Sequence, residues 1–221
     1  MGETIQLTAA DGHTFDVYKA MPSGTPKGAI LVIQEIFGVN SHMKEVADSY
    51  AAEGYAVMAP ALFDRAEKNF DVGYTPDDIA RGRDTRAAVA WDDSVKDMQA
   101  TFDALKPYGK IGSVGYCYGG SCCWLVATRI GVAASSCYYG GQIAMFKGEK
   151  PQNPVMMHFG EKDHGIPMAD VETIRKAHPE AQVFVYPAGH GFNCDHRGDY
   201  NADCAAEARA RTLAFFAEHV G

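Results

Sequence analysis

The sequence predicts a three-layer α/β fold with a mostly parallel central sheet, and three observations carry that prediction. Short apolar runs rich in β-branched or aromatic residues recur along the chain, helical patterns separate them, and an alternating segment precedes them all. Apolar runs of this kind suit strands covered on both faces, as parallel sheets require. Strands alternating with helices imply right-handed crossovers that place helices on both sides of the sheet.

Taken in order, residues 4–8 alternate apolar and polar, Asp11-Gly12 supplies a turn, and 14–18 alternate again. This is the pattern of an N-terminal antiparallel hairpin. A polar link over 22–27 follows. Runs 29–33, 56–59, 111–115, 155–159 and 183–186 are predicted as buried strands, with 135–139 as a weaker sixth. Helices are predicted over 42–52, 84–105, 121–129, 168–177 and 202–219. In the last, Ala206, Ala210, Leu213, Ala214, Phe216 and Ala217 give an apolar stripe expected to be buried. The polar segment 63–85 reads as an excursion over the C-terminal edge of the sheet, where open α/β sheets bind ligands. No repeat, low-complexity tract or interdomain linker interrupts the pattern, so 1–221 reads as one domain.

Composition narrows the function. A hydrophobic content of 47% with 22% charged residues is that of a globular chain. A net charge of −8 argues against nucleic-acid and anionic-membrane partners. No run of about 18 apolar residues predicts a membrane span, and the N-terminal residues lack the basic-then-apolar plan of a signal peptide. The chain therefore reads as cytoplasmic, its six cysteines as free thiols, and a monomer is compatible with the composition. No cofactor motif is present.

Gly115-Tyr116-Cys117-Tyr118-Gly119 is the most informative stretch. It has the form of a G-x-S-x-G nucleophile elbow with cysteine in the serine position, preceded by an apolar run and followed by a helical pattern. On the motif alone, a structural cysteine in a glycine-rich turn is as good a reading. A nucleophile needs a base, and the base needs an orienting acid. Asp163 follows the 155–159 run and His190 follows the 183–186 run, so all three residues fall at the same edge of the predicted sheet. Tyr118 N–H and the N–H of Ile36 or Phe37, after the 29–33 strand, are the oxyanion-donor candidates. Asp163 alone is also good turn chemistry. His164 is too close to Asp163 to reach round to Cys117, and His158, inside an apolar run, reads as a core histidine. Cys194, Asp195 and His196 with His190 do not offer four ligands at a sensible spacing, so no metal is expected. Glu35 ends an apolar strand, where a carboxylate is costly unless paired. It is either an exposed loop acid or a neighbour of Cys117 that accepts a bond from the thiol.

The segments Gln34-Glu35-Ile36-Phe37-Gly38, Gly115-Tyr116-Cys117-Tyr118-Gly119-Gly120, Gly160-Glu161-Lys162-Asp163 and Gly189-His190-Gly191-Phe192 together resemble the dienelactone hydrolase (carboxymethylenebutenolidase) family of the α/β-hydrolase fold. The resemblance implies a Cys117–His190–Asp163 triad, with Glu35 holding the resting thiol neutral. It implies hydrolysis of a small ester or lactone through a thioacyl-enzyme intermediate. In characterised members of that family the substrate is the dienelactone 4-carboxymethylenebut-2-en-4-olide, whose carboxylate is held by two arginines. Arg65 stands where the first is expected. Cys194 stands where the second is expected, four residues past the histidine, and Arg197 lies three further on. A lost charge-assisted hydrogen bond costs roughly 1.5–3 kcal/mol, so the triad transfers better than the substrate. Phe37 belongs to the same implied substrate pocket. A non-catalytic ligand-binding or thiol-redox-sensing protein on this fold is the alternative, and an acyl acceptor other than water is compatible with the same residues.

Overall fold

A computed structural model of the chain describes residues 2–221. Its eight strands are β1 (Glu3–Thr8), β2 (Thr14–Ala20), β3 (Ala29–Ile33), β4 (Ala56–Pro60), β5 (Ile111–Tyr116), β6 (Ala134–Tyr138), β7 (Val155–Gly160) and β8 (Gln182–Tyr186). They form one sheet in the order β1-β2-β4-β3-β5-β6-β7-β8. β1 and β2 pair antiparallel, as do β2 and β4, and every other pairing is parallel. The continuous apolar runs explain the centre: β3, β4, β5, β6 and β7 are buried along their whole length, which fits a parallel sheet covered on both sides.

Six helices supply the cover: α1 (Ser41–Ala52), α2 (Pro76–Ala88), α3 (Trp91–Leu105), α4 (Tyr118–Arg129), α5 (Met168–Ala177) and α6 (Ala202–His219). Successive strand residues point to opposite faces, and β5 shows which helices lie where. A Cβ on Gly112 would meet Phe216 of α6, and one on Gly115 would meet Gly119 and Cys123 of α4. Tyr50 of α1 packs edge-on to Phe216, so α1 joins α6 on one face. On the other, α3 packs against α4. His158 of β7 is fully buried, bonded to Tyr186 Oη at 2.8 Å and Thr212 Oγ1 at 3.2 Å, a core histidine as predicted.

Two expectations are corrected. Of the stripe expected to be buried on the last helix, Ala206, Ala210, Ala214 and Ala217 are exposed and only Phe216 is buried; the face that packs on the sheet carries Cys204, Ala205, Ala208, Thr212, Phe215 and Phe216. The single helix over 84–105 is two helices, and the first begins inside the segment read as a polar excursion. Thr75 and Asp78 form a reciprocal capping box and Pro76 opens α2, a strong start signal. The chain then leaves the helical region at Val89 (ψ 121°) and Ala90 (ψ 146°). Neither proline nor glycine marks the break. Tertiary packing makes it: Val89 is buried, and Trp91 packs against Tyr118 and Phe146 at 5.3 and 5.2 Å while Arg86 covers its ring at 3.8 Å. No helix among the described residues is long and apolar enough to cross a membrane.

Candidate active site

The elbow sits between β5 and α4. Cys117 has φ 56° and ψ −116°, a conformation that side-chain-bearing residues rarely adopt and that tends to persist at functional sites. The turn is tight because α4 must start directly on the sheet: a Cβ on Gly119 would stand 2.3 Å from Ile33 O. Cys117 N–H donates to Tyr138 O at 3.0 Å, and Cys117 O accepts from Gly120 and Ser121. Tyr118 is the first residue of α4, so its N–H has no acceptor within the helix.

The loops after β7 and β8 bring two further residues to Cys117. Asp163 is buried, and its Oδ1 accepts from Gly165 N–H at 2.7 Å and Ile166 N–H at 3.1 Å. Those bonds fix the carboxylate so that Oδ2 lies 2.7 Å from His190 Nδ1. His190 Nε2 lies 3.1 Å from Cys117 Sγ. Burial tends to lower the His190 pKa, but negative charge on Cys117 and the Asp163 hydrogen bond outweigh it and raise it from 6.5 to about 10. His164 is exposed.

Glu35 follows β3 and is 1% exposed. Its Oε1 lies 3.4 Å from Arg197 Nη1, and its Oε2 has no hydrogen-bond partner among the described residues. The expected bond between Glu35 and the Cys117 thiol is absent; the sulfur faces His190 instead. Gly191, at φ +77°, leaves room for the Arg197 guanidinium, which would lie 2.6 Å from a Cβ there. Arg197 also stands 5.5 Å over the Phe37 ring. Cys194 is buried in the same cluster, where burial and the Glu35 charge push its thiol up to about 12. It is a neutral group where a second arginine was expected.

Arg65 is not brought to this cluster. It ends a short 3₁₀ turn over Leu62–Arg65, and its Nε and Nη2 bond both oxygens of Asp97 at 2.8 and 2.7 Å. Nη1 reaches Asp11 at 3.0 Å. Asp97 has no side-chain exposure, so the guanidinium is consumed in neutralising a buried carboxylate. Sequence position could place Arg65 near the sheet edge but could not give its direction.

Tyr139 is a residue the sequence reading missed. It has φ 37° just after β6, its ring lies 5.1 Å from the His190 ring, and its buried hydroxyl has no partner among the described residues. The signal available was its strand-end position before Gly140-Gly141. Tyr74, against Phe37 at 4.6 Å, gave no local signal at all. A groove of about 320 Å³ lies nearby, lined by His42, Glu45, Asn193 and Asp195 among others. It does not include Cys117, His190 or Asp163.

Comparison with known proteins places this geometry in context. Residues 15–220 match the model of the dienelactone hydrolase family. A carboxymethylenebutenolidase of Pseudomonas putida is 34% identical over 227 residues, covering 97% of this chain and 96% of its own. A Synechocystis sp. protein provisionally given the same name is 37% identical over 208 residues, covering 85% of this chain and 84% of its own. A solved structure from Klebsiella pneumoniae, provisionally a dienelactone hydrolase, superposes with TM-score 0.84 at 27% identity, covering 98% of this chain and 100% of that one.

Proposed function

The chain belongs to the dienelactone hydrolase family and is a hydrolase of ester or lactone bonds, and from that premise we propose that Cys117, His190 and Asp163 form its catalytic triad and act through a thioacyl-enzyme intermediate. The observation that carries this reading is the continuous chain of contacts from Asp163 Oδ2 to His190 Nδ1 at 2.7 Å and from His190 Nε2 to Cys117 Sγ at 3.1 Å.

The steps follow from those positions. The Cys117 thiolate attacks the substrate carbonyl carbon, forming a C–S bond as the C=O π electrons move onto oxygen. The N–H groups of Tyr118 and Ile36 are the donors proposed for that oxyanion. The tetrahedral adduct collapses, the C–O bond to the leaving group breaks, and the imidazolium of His190 gives its proton to the departing alkoxide. In a lactone that alkoxide stays attached to the acyl part. Neutral His190 then takes a proton from water, hydroxide adds to the thioester, and the C–S bond breaks to return the thiolate. Asp163 keeps Nδ1 protonated and the ring aimed throughout.

Arg197, Phe37 and Glu35 line the proposed substrate end. Glu35 Oε2 and the Tyr139 hydroxyl are the buried polar atoms a bound substrate can engage. Arg65 is left out of this role because Asp97 and Asp11 hold its donors. The substrate class proposed is therefore a small ester or lactone, neutral or anionic.

The test is Cys117→Ala assayed on a chromogenic acetate ester, with acid-quenched parent enzyme analysed by peptide mass spectrometry. Loss of turnover in the variant, and an acyl adduct on the Cys117 peptide of the parent, are expected. Undiminished activity in Cys117→Ala overturns the triad.

A further inference from the structure

His42 and Glu45 stand one turn apart at the start of α1, and Asp195 and His196 lie in the loop that carries His190 and Arg197. One donor atom from each of the four lies within 4.8 Å of all the others. His42 Nδ1 is 3.3 Å from Asp195 Oδ1. His196 Nε2 is 3.0 Å from Glu45 Oε2 and 3.8 Å from Asp195 Oδ1.

The spacing separates two explanations. His196 and Glu45, at 3.0 Å, are within direct hydrogen-bond distance, but the two contacts of Asp195, at 3.3 and 3.8 Å, are longer than the about 2.7–2.9 Å of a direct charge-assisted bond. Donors arranged tetrahedrally about an ion at about 2.0–2.2 Å stand about 3.3–3.6 Å apart, close to the two Asp195 separations of 3.3 and 3.8 Å. A second observation points the same way. The His42 side chain is only 5% exposed, its Nε2 has no partner among the described residues, and its Nδ1 is aimed into the cluster. Burying an imidazole so incompletely bonded is costly; an ion on Nδ1 would offset part of that cost on the side that faces the cluster, leaving Nε2 unpaired. Glu45, Asp195 and His196 are exposed, and the cluster opens on the groove of about 320 Å³, which gives an ion a way in.

We propose that His42 Nδ1, Glu45, Asp195 and His196 Nε2 form a site for one divalent transition-metal ion, with Zn²⁺ the best match to two imidazoles and two carboxylates. The ion would pin the loop bearing His190 and Arg197 to α1. The sequence alone sets Asp195 and His196 beside His190 and Cys194 and leads to the expectation of no metal. The partners are instead the His42-x-x-Glu45 pair, about 150 positions away along the chain.

The experiment titrates Co²⁺ into the Cys117→Ser protein under reducing conditions, so that the active-site thiolate cannot act as a ligand. Visible absorption and the melting temperature with Zn²⁺ are the readouts. One equivalent of Co²⁺ is expected to bind with d–d bands of a nitrogen–oxygen set and no thiolate charge-transfer band, and Zn²⁺ is expected to raise the melting temperature by several degrees. Glu45→Gln and His196→Ala, both at exposed positions, should each weaken binding at least about tenfold, with metal-free near-ultraviolet circular dichroism unchanged. If either fails to fold, Asp195→Asn takes its place. Absence of saturable binding at millimolar Co²⁺, a thiolate charge-transfer band, or affinity unaltered in the variants would each overturn the site. Because the readouts come from a protein without Cys117, they are independent of the triad.

Discussion

Asp163 Oδ2 and His190 Nδ1 lie 2.7 Å apart, although 27 positions separate them in the chain. The contact joins the loops after β7 and β8, which pair in parallel, and it turns the other imidazole nitrogen toward Cys117. The first prediction concerns this bond. Asp163→Asn keeps an oxygen to accept from Gly165 and Ile166 but presents an amide to His190, favouring the wrong tautomer. We expect kcat to fall by about four orders of magnitude with the melting temperature little changed. Stopped-flow or extended steady-state assays of the purified variant decide it, and a fall of less than tenfold removes Asp163 from the orienting role.

The His190 pKa of about 10 makes a second prediction. The native state retains on this ring a proton that the unfolded chain releases near 6.5. Its stabilising contribution is therefore complete below about pH 6.5 and is lost as pH rises through about 10. The imidazole Cε1–H resonance should show no titration between pH 6 and 9. In Cys117→Ala the midpoint should drop, since the Cys117 charge is the largest of the raising influences. A parent midpoint near 6.5 would contradict the raised His190 pKa.

Arg65 and Arg197 should separate cleanly. Each neutralises a buried carboxylate, Asp97 and Glu35 respectively, so alanine at either position should cost about 3 kcal/mol in urea unfolding. Only Arg197→Ala should raise KM for an anionic lactone more than for a neutral ester. An equal ratio for both substrates in Arg197→Ala, or a changed ratio in Arg65→Ala, refutes this assignment.

The elbow tolerates no side chain at Gly119. Its Cβ would meet Ile33 O at 2.3 Å and Gln34 O at 2.5 Å, whereas a Cβ on Gly131 meets nothing within 4 Å. Gly119→Ala should destabilise by about 2 kcal/mol or more and lower kcat by displacing Cys117. Gly131→Ala should stay within about 0.5 kcal/mol of the parent. Comparable denaturation midpoints for the two variants would show that the elbow can relax.

The amino-acid sequence by itself determined the central strands, the elbow and the order Cys117, Asp163, His190. These are local signals: a buried strand announces itself as an apolar run, and a residue just past a strand must lie at the sheet edge. The break between α2 and α3 was not legible, because Val89 and Ala90 carry no breaker chemistry and Trp91 is drawn away by Tyr118 and Phe146. Nor was the use of the arginines. Whether Arg65 faces Asp97 or a substrate, and whether Glu35 meets Cys117 or Arg197 across 162 positions, depends on which buried charge each long side chain is near. That choice is made by packing distant segments together in a medium where an unpaired charge is costly, so only the tertiary structure decided it.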